Sequence, residues 1–95
     1  MKFRIKDEVK IREEDGFFLV VNLTTEDMLN GYPAFFKVNA LGETTLRILK
    51  SYHSIEEIVD ILSHYFPSVP RENIEKDTNS FVSLLKRYSL IDEVN

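Results

Sequence analysis

At Asn39 the apolar residues of this chain change period, and that change limits the folds open to it. Before Asn39 hydrophobic residues alternate with polar ones at a period of two, or gather in short blocks bounded by turn residues, as strands do. After it they recur at every third or fourth residue, as on one face of a helix. Strands therefore precede helices. Sequential strands with short connections pair antiparallel, and the sheet they make needs a cover for its inner face. The expected class is α+β, a three-stranded antiparallel sheet followed by three helices, in a single domain over residues 1–95.

The strand half has clear punctuation. Glu8-Val9-Lys10-Ile11-Arg12-Glu13 alternates, Asp15-Gly16 suits a tight turn with positive φ, and Phe17 to Leu23 is the returning strand. Thr24 to Pro33 holds Asn30-Gly31 and ends in proline, so a longer loop is expected before a third strand, Ala34 to Val38. In the helical half, Asn39 is an N-cap, Leu41, Thr45, Ile48 and Leu49 form the first stripe, and Glu43 lies near the positive end of the helix dipole. Ser54-Ile55-Glu56-Glu57 is a capping box, followed by Ile55, Ile58, Val59, Leu62, Tyr65 and Phe66 until Pro67 stops the helix. Pro70 fits the first turn of a third helix with Glu72 and Glu75 early and Lys86 and Arg87 late. Its buried stripe is Ile74, Thr78, Phe81, Leu85 and Tyr88, and Leu90-Ile91 docks the tail onto the core. The order of elements amounts to a winged-helix-like arrangement.

Composition narrows the function classes. With 95 residues and 43% hydrophobic content there is one core to fill, so the seven Phe and four Tyr are core candidates first. The absence of Cys removes thiolate nucleophiles and sulfur-ligated zinc and fits a reducing cytoplasm. His53 precedes a cap and His64 falls on the outer side of its helix; both are expected at the surface, without metal-ligand spacing, so no metal or cofactor is assigned. Only three glycines are present, none in a phosphate-cradling loop, and there is no G-x-S-x-G elbow or forced carboxylate pair. An enzyme is not expected. The alternating charge of Met1 to Glu8 interrupts any signal-peptide core, and the longest apolar run, Phe17 to Val21, falls far short of the ~20 residues that span a bilayer. A net charge of −4 disfavours nucleic acid and anionic membranes as partners.

Val38-Asn39, Ile48-Leu49, Ser54-Ile55-Glu56-Glu57-Ile58, Tyr65, Asp77, Phe81, Leu85 and the closing Leu90-Ile91-Asp92 together resemble the PqqD family, also called RiPP recognition elements. The resemblance spans Val9 to Asp92 and implies a freestanding, non-catalytic member. It further implies a winged-helix domain that binds the leader of a ribosomally made precursor peptide and presents it to a modifying enzyme, whether radical enzyme, leader peptidase or cyclase. In such proteins the leader lies beside the third strand and over the third helix. Carried onto this chain, the strand half of the groove is Ala34, Phe35, Phe36, Lys37 and Val38, and the helix half is Ile74, Asp77, Thr78, Phe81 and Leu84. Two departures stand out: Ser89 occupies a position where glycine is common, and the loop from Thr24 to Pro33 is long.

Physics gives the same mode a reason of its own. A short third strand at a sheet edge leaves backbone N–H and C=O groups that an extended peptide satisfies. Either Phe35 or Phe36 faces the groove, because a one-residue slip exchanges the two faces. Two other classes compete. A DNA-binding winged-helix regulator shares the fold, but the front of helix three sets Arg71 and Lys76 against Glu72, Glu75 and Asp77, unlike a basic recognition helix. A dimerisation module would use the same edge symmetrically; the expectation is a monomer or weak dimer.

Overall fold

The computed structural model describes residues 1–15, 17–22 and 35–95, without the side chains of 14, 17–22 and 35–37. Along the chain come β1 (Lys2–Ile5), β2 (Val9–Glu14), β3 (Phe17–Asn22), β4 (Phe35–Val38), α1 (Ala40–Ile48), α2 (Ile55–Tyr65), α3 (Arg71–Arg87) and β5 (Ile91–Val94). The class is α+β, with three helices and antiparallel pairing throughout the described strands.

The hairpin fixes the sheet's hydrogen-bond parity. Glu14 faces Phe17 across a two-residue connection, so these two exchange both backbone hydrogen bonds. Bonding then alternates along β3, and Phe18 and Val20 turn their backbone groups to β4, where they meet Val38 and Phe36. Phe35 and Lys37 consequently point their N–H and C=O groups away from β3. Among the described strands β4 ends the sheet, whose order is β2-β3-β4.

Local chemistry sets the helix ends. The Asn39 side chain accepts from the Gly42 amide at 2.9 Å and opens α1. Ser54 and Glu57 form the reciprocal capping box at α2, the Glu57 amide donating to Ser54 Oγ at 3.1 Å and the Ser54 amide to Glu57 Oε1 at 2.8 Å. α3 ends in a Schellman motif: the Leu90 amide donates to the Leu85 carbonyl and the Ser89 amide to that of Lys86. Leu85 and Leu90 are both buried, which supplies the apolar contact this motif favours. Arg71, at the start of α3, donates to Asp60 of α2 at 2.5 Å and lies 3.5 Å from Glu75.

Leu46, Leu49, Ile58, Leu62, Ile74 and Leu85 are completely buried and form the centre of the core. Around them lie Phe3, Ile5, Val38, Val82 and Ile91.

Several expectations are corrected. A strand follows the last helix: β5 pairs with β1 from Lys2↔Val94 to Ile5↔Ile91, and the docking Leu90-Ile91 tail is the start of this second sheet. The alternation Lys2-Phe3-Arg4-Ile5-Lys6 is itself a strand pattern, but its partners lie almost ninety residues away, and nothing local announces such a pairing. Tyr65, placed in the α2 stripe, is 65% exposed because it occupies the helix's last turn, past the core. Pro70 is the N-cap of α3 rather than a first-turn residue. Leu46 and Val82, omitted from the stripes, are buried, whereas Leu41, Ile48, Phe81 and Tyr88 are only partly so. The expected loop Thr24 to Pro33 and the residues Gly16, Leu23 and Ala34 lie outside the described residues.

Candidate functional site

α1 passes close to the end of β4, and a glycine permits it. A Cβ at Gly42 would stand 3.2 Å from Val38 Cβ, so α1 meets β4 at a distance a larger residue would resist, while Phe81 Cζ of α3 would be in ordinary contact at 3.5 Å. Between this end of α1 and α3 lies a groove of about 370 Å³. Val38 and Asn39 close its β4 end, Leu41, Gly42 and Thr45 form the α1 side, and Asp77, Thr78, Ser80, Phe81 and Leu84 the α3 side.

The groove has apolar walls and a polar rim. Phe81 and Leu84, spaced three apart on one face of α3, present half-exposed apolar surface, and Leu41 does so opposite them. Asp77 and Ser80 stand exposed along the α3 edge. Below them Thr45 Oγ1 donates to the Leu41 carbonyl at 2.8 Å, closing its own hydrogen bond inside α1. Thr78 differs: its residue is 1% exposed and its Oγ1 has no partner among the described residues. A buried hydroxyl left unpaired costs about 1–3 kcal/mol.

No histidine lines the groove, so neither Ser80 nor a threonine has an imidazole base beside it. Among the described residues no group of three or more His, Cys, Asp and Glu is placed to hold a metal ion, and no helix is long and apolar enough to cross a membrane.

Of the residues singled out from sequence, Val38, Asp77, Thr78, Phe81 and Leu84 come together here. Ile74 does not: it is fully buried in the core and offers no surface, because it sits one turn ahead on the inward side of α3. The backbones of Phe35, Phe36 and Lys37 form β4, but their side chains lie outside the described residues, as does all of Ala34. Sequence reasoning missed the α1 wall. Asn39 reads from sequence as a cap and as part of the family resemblance, and Gly42, flanked by good helix formers, is the signal that another element passes close by.

The family model for coenzyme PQQ synthesis protein D (PqqD) matches residues 19–91, more than three quarters of the chain. The chain belongs to the PqqD family. Among solved structures, TbiB1 in complex with the TbiA(beta) leader peptide is similar to this PqqD-family chain at 25% identity and a TM-score of 0.70, over 97% of this chain and 98% of that one. Lasso peptide synthetase B1 complexed with the leader peptide has the same fold at 17% identity and a TM-score of 0.67, covering 98% and 100% of the two chains. No curated protein sequence matches.

Proposed function

We propose that this PqqD-family chain is a non-catalytic adaptor that binds the leader of a ribosomally synthesised precursor peptide and presents it to a modifying enzyme or leader peptidase. The observation that carries this reading is the groove itself, apolar between α1 and α3 and opening beside an edge strand, on a chain whose fold relative TbiB1 holds a leader peptide. An extended leader would add to β4 through the outward backbone groups of Phe35 and Lys37 and set apolar side chains against Leu41, Phe81 and Leu84. Asp77 and Ser80 would meet its polar atoms, and Ala34 and Phe36 would flank the added strand. Winged-helix architecture, with the β2-β3-β4 sheet as the wing, is the finer description we adopt for the fold.

The DNA-regulator reading loses support at one residue. Arg71, one of the two cations at the front of α3, is paired with the carboxylates of Asp60 and Glu75, with which a phosphate would have to compete. Exposed carboxylates of Glu72 and Asp77 share that turn region.

The test is a titration with the leader of the chain's own precursor, followed by amide exchange. Protection is expected along β4 and along α3 from Asp77 to Leu84, with affinity nearly independent of salt. Protection confined to β2, or affinity that collapses as salt rises, would sink the adaptor reading.

A further inference from the structure

On the other side of α1 lies a second concavity of about 710 Å³, between that helix and the β1–β2 segment. At 3.6 residues per turn, Glu43, Leu46 and Arg47 of the cleft point about 145° away from Leu41, Gly42 and Thr45 of the groove. The two sites thus back onto one helix without overlapping.

The cleft is cationic on an acidic chain. Arg4, Lys6, Lys10, Arg47 and Lys50 line it against Asp7, Glu13 and Glu43, while the whole chain carries −4. Both arginines are engaged, Arg4 with Asp7 at 2.6 Å and Arg47 with the buried carboxylate of Glu43. Lys6, Lys10 and Lys50 make no ion pair among the described residues. Beneath these amines the floor is apolar, formed by the buried side chains of Ile5, Val9 and Leu46.

We infer that this cleft docks an acidic polypeptide segment, two or three carboxylates around an apolar side chain, on the enzyme that receives the leader. The inference rests on the adaptor reading for the enzyme's identity, but the charge selectivity of the cleft does not. Three separated amines over an apolar floor match repeated carboxylates with an apolar residue between them. A cleft this size leaves a single oxoanion in contact with only part of the lining, and a duplex would face the repulsion of an acidic chain. Placement opposite the groove lets leader and enzyme be held at once.

The experiment uses the full chain, labelled for NMR, and four probes: a 12-residue peptide of Glu-Leu-Asp repeats, its Gln-Leu-Asn counterpart, inorganic phosphate, and a DNA duplex. The acidic peptide should shift the amides of Ile5, Lys6, Lys10, Leu46 and Lys50 and spare Asp77 to Leu84. The amide counterpart, and the triple variant Lys6→Gln, Lys10→Gln, Lys50→Gln, should bind about tenfold more weakly, since three exposed rim pairs are lost. The triple variant Lys6→Arg, Lys10→Arg, Lys50→Arg should bind like the wild type. Leader affinity of the glutamine variant should stay within about twofold, so that loss of leader binding reports on the groove and loss of acidic-peptide binding on the cleft. With the pathway's modifying enzyme, about tenfold more of the glutamine variant should be needed for half-maximal activation. Equal binding of the acidic peptide by the glutamine variant, shifts in the α3 groove instead, the same shifts with phosphate or DNA, or unchanged enzyme activation would each overturn the proposal.

Discussion

Ser89 shows how one residue can resist its own backbone. It has φ 57°, the left-handed conformation that the Schellman motif demands of the residue after the cap. This is the position where the family resemblance expects glycine, and the reason is steric: an L side chain in that region crowds the following carbonyl. Ser89→Gly should therefore raise the unfolding free energy by about 0.5–1 kcal/mol in a urea titration, and Ser89→Val should lower it. Thr78 carries a different cost, a buried hydroxyl without a partner. Thr78→Val keeps the shape and removes the orphan, so the free protein should gain about 1 kcal/mol in the same titration; a loss would mean that the hydroxyl is satisfied after all. Phe81, being half-exposed, should cost less on truncation to alanine than the about 3–5 kcal/mol of a fully buried ring.

At the scale of elements, β4 and α2 each give a test in which two changes of like chemistry diverge. Lys37→Pro removes a donor aimed away from β3, so the domain should stay folded while leader affinity drops by tenfold or more, about 1.4 kcal/mol. Phe36→Pro strikes a bond to Val20 inside the sheet and should lower the melting temperature as well. Equal leader affinity for Lys37→Pro and wild type would remove strand addition from the account. In α2, the Ser54 amide holds the Glu57 carboxyl below the usual glutamate range, with a smaller contribution from Lys2 at 3.5 Å. A carboxyl lowered in the folded state stabilises above its unfolded pKa of about 4.3, and that contribution fades as pH falls through the lower folded value. The stability difference between wild type and Glu57→Gln should accordingly be constant above pH of about 5 and shrink in acid. A difference that grows on acidification would contradict the capping assignment. Ser54→Ala should cost about 1 kcal/mol at neutral pH.

The whole molecule is closed by a pairing of its two ends. The Ile5 amide donates to the Leu49 carbonyl at 2.7 Å and Lys6 to Leu90 at 3.0 Å, so β1 ties the end of α1 to the end of α3. Phe3 is 5% exposed, exchanges backbone hydrogen bonds with His53, and has the Lys86 ammonium 5.9 Å from its ring. Phe3→Ala should cost about 3–5 kcal/mol, a large share of the 5–15 kcal/mol typical of a domain, and thermal unfolding would show it directly. A cost under about 1 kcal/mol would mean that the β1–β5 sheet is an ornament on a core complete without it.

Sequence alone determined the features that depend on neighbours within a few residues. The period change at Asn39, the Ser54–Glu57 capping box, the Asn39 cap and the stop at Pro67 all express contacts one helical turn long, and they fix three helices after a hairpin. The α3 side of the groove came from the family resemblance rather than from periodicity, and Asp77, Thr78, Phe81 and Leu84 of that set line one side of the helix. Tertiary structure decided the rest. The pairing of Lys2–Ile5 with Ile91–Val94 and the entry of α1 into the groove at Gly42 each depend on segments far apart in the chain. Closing such long loops is repaid by core contacts that form only once all three helices are in place, and no local pattern encodes that sum.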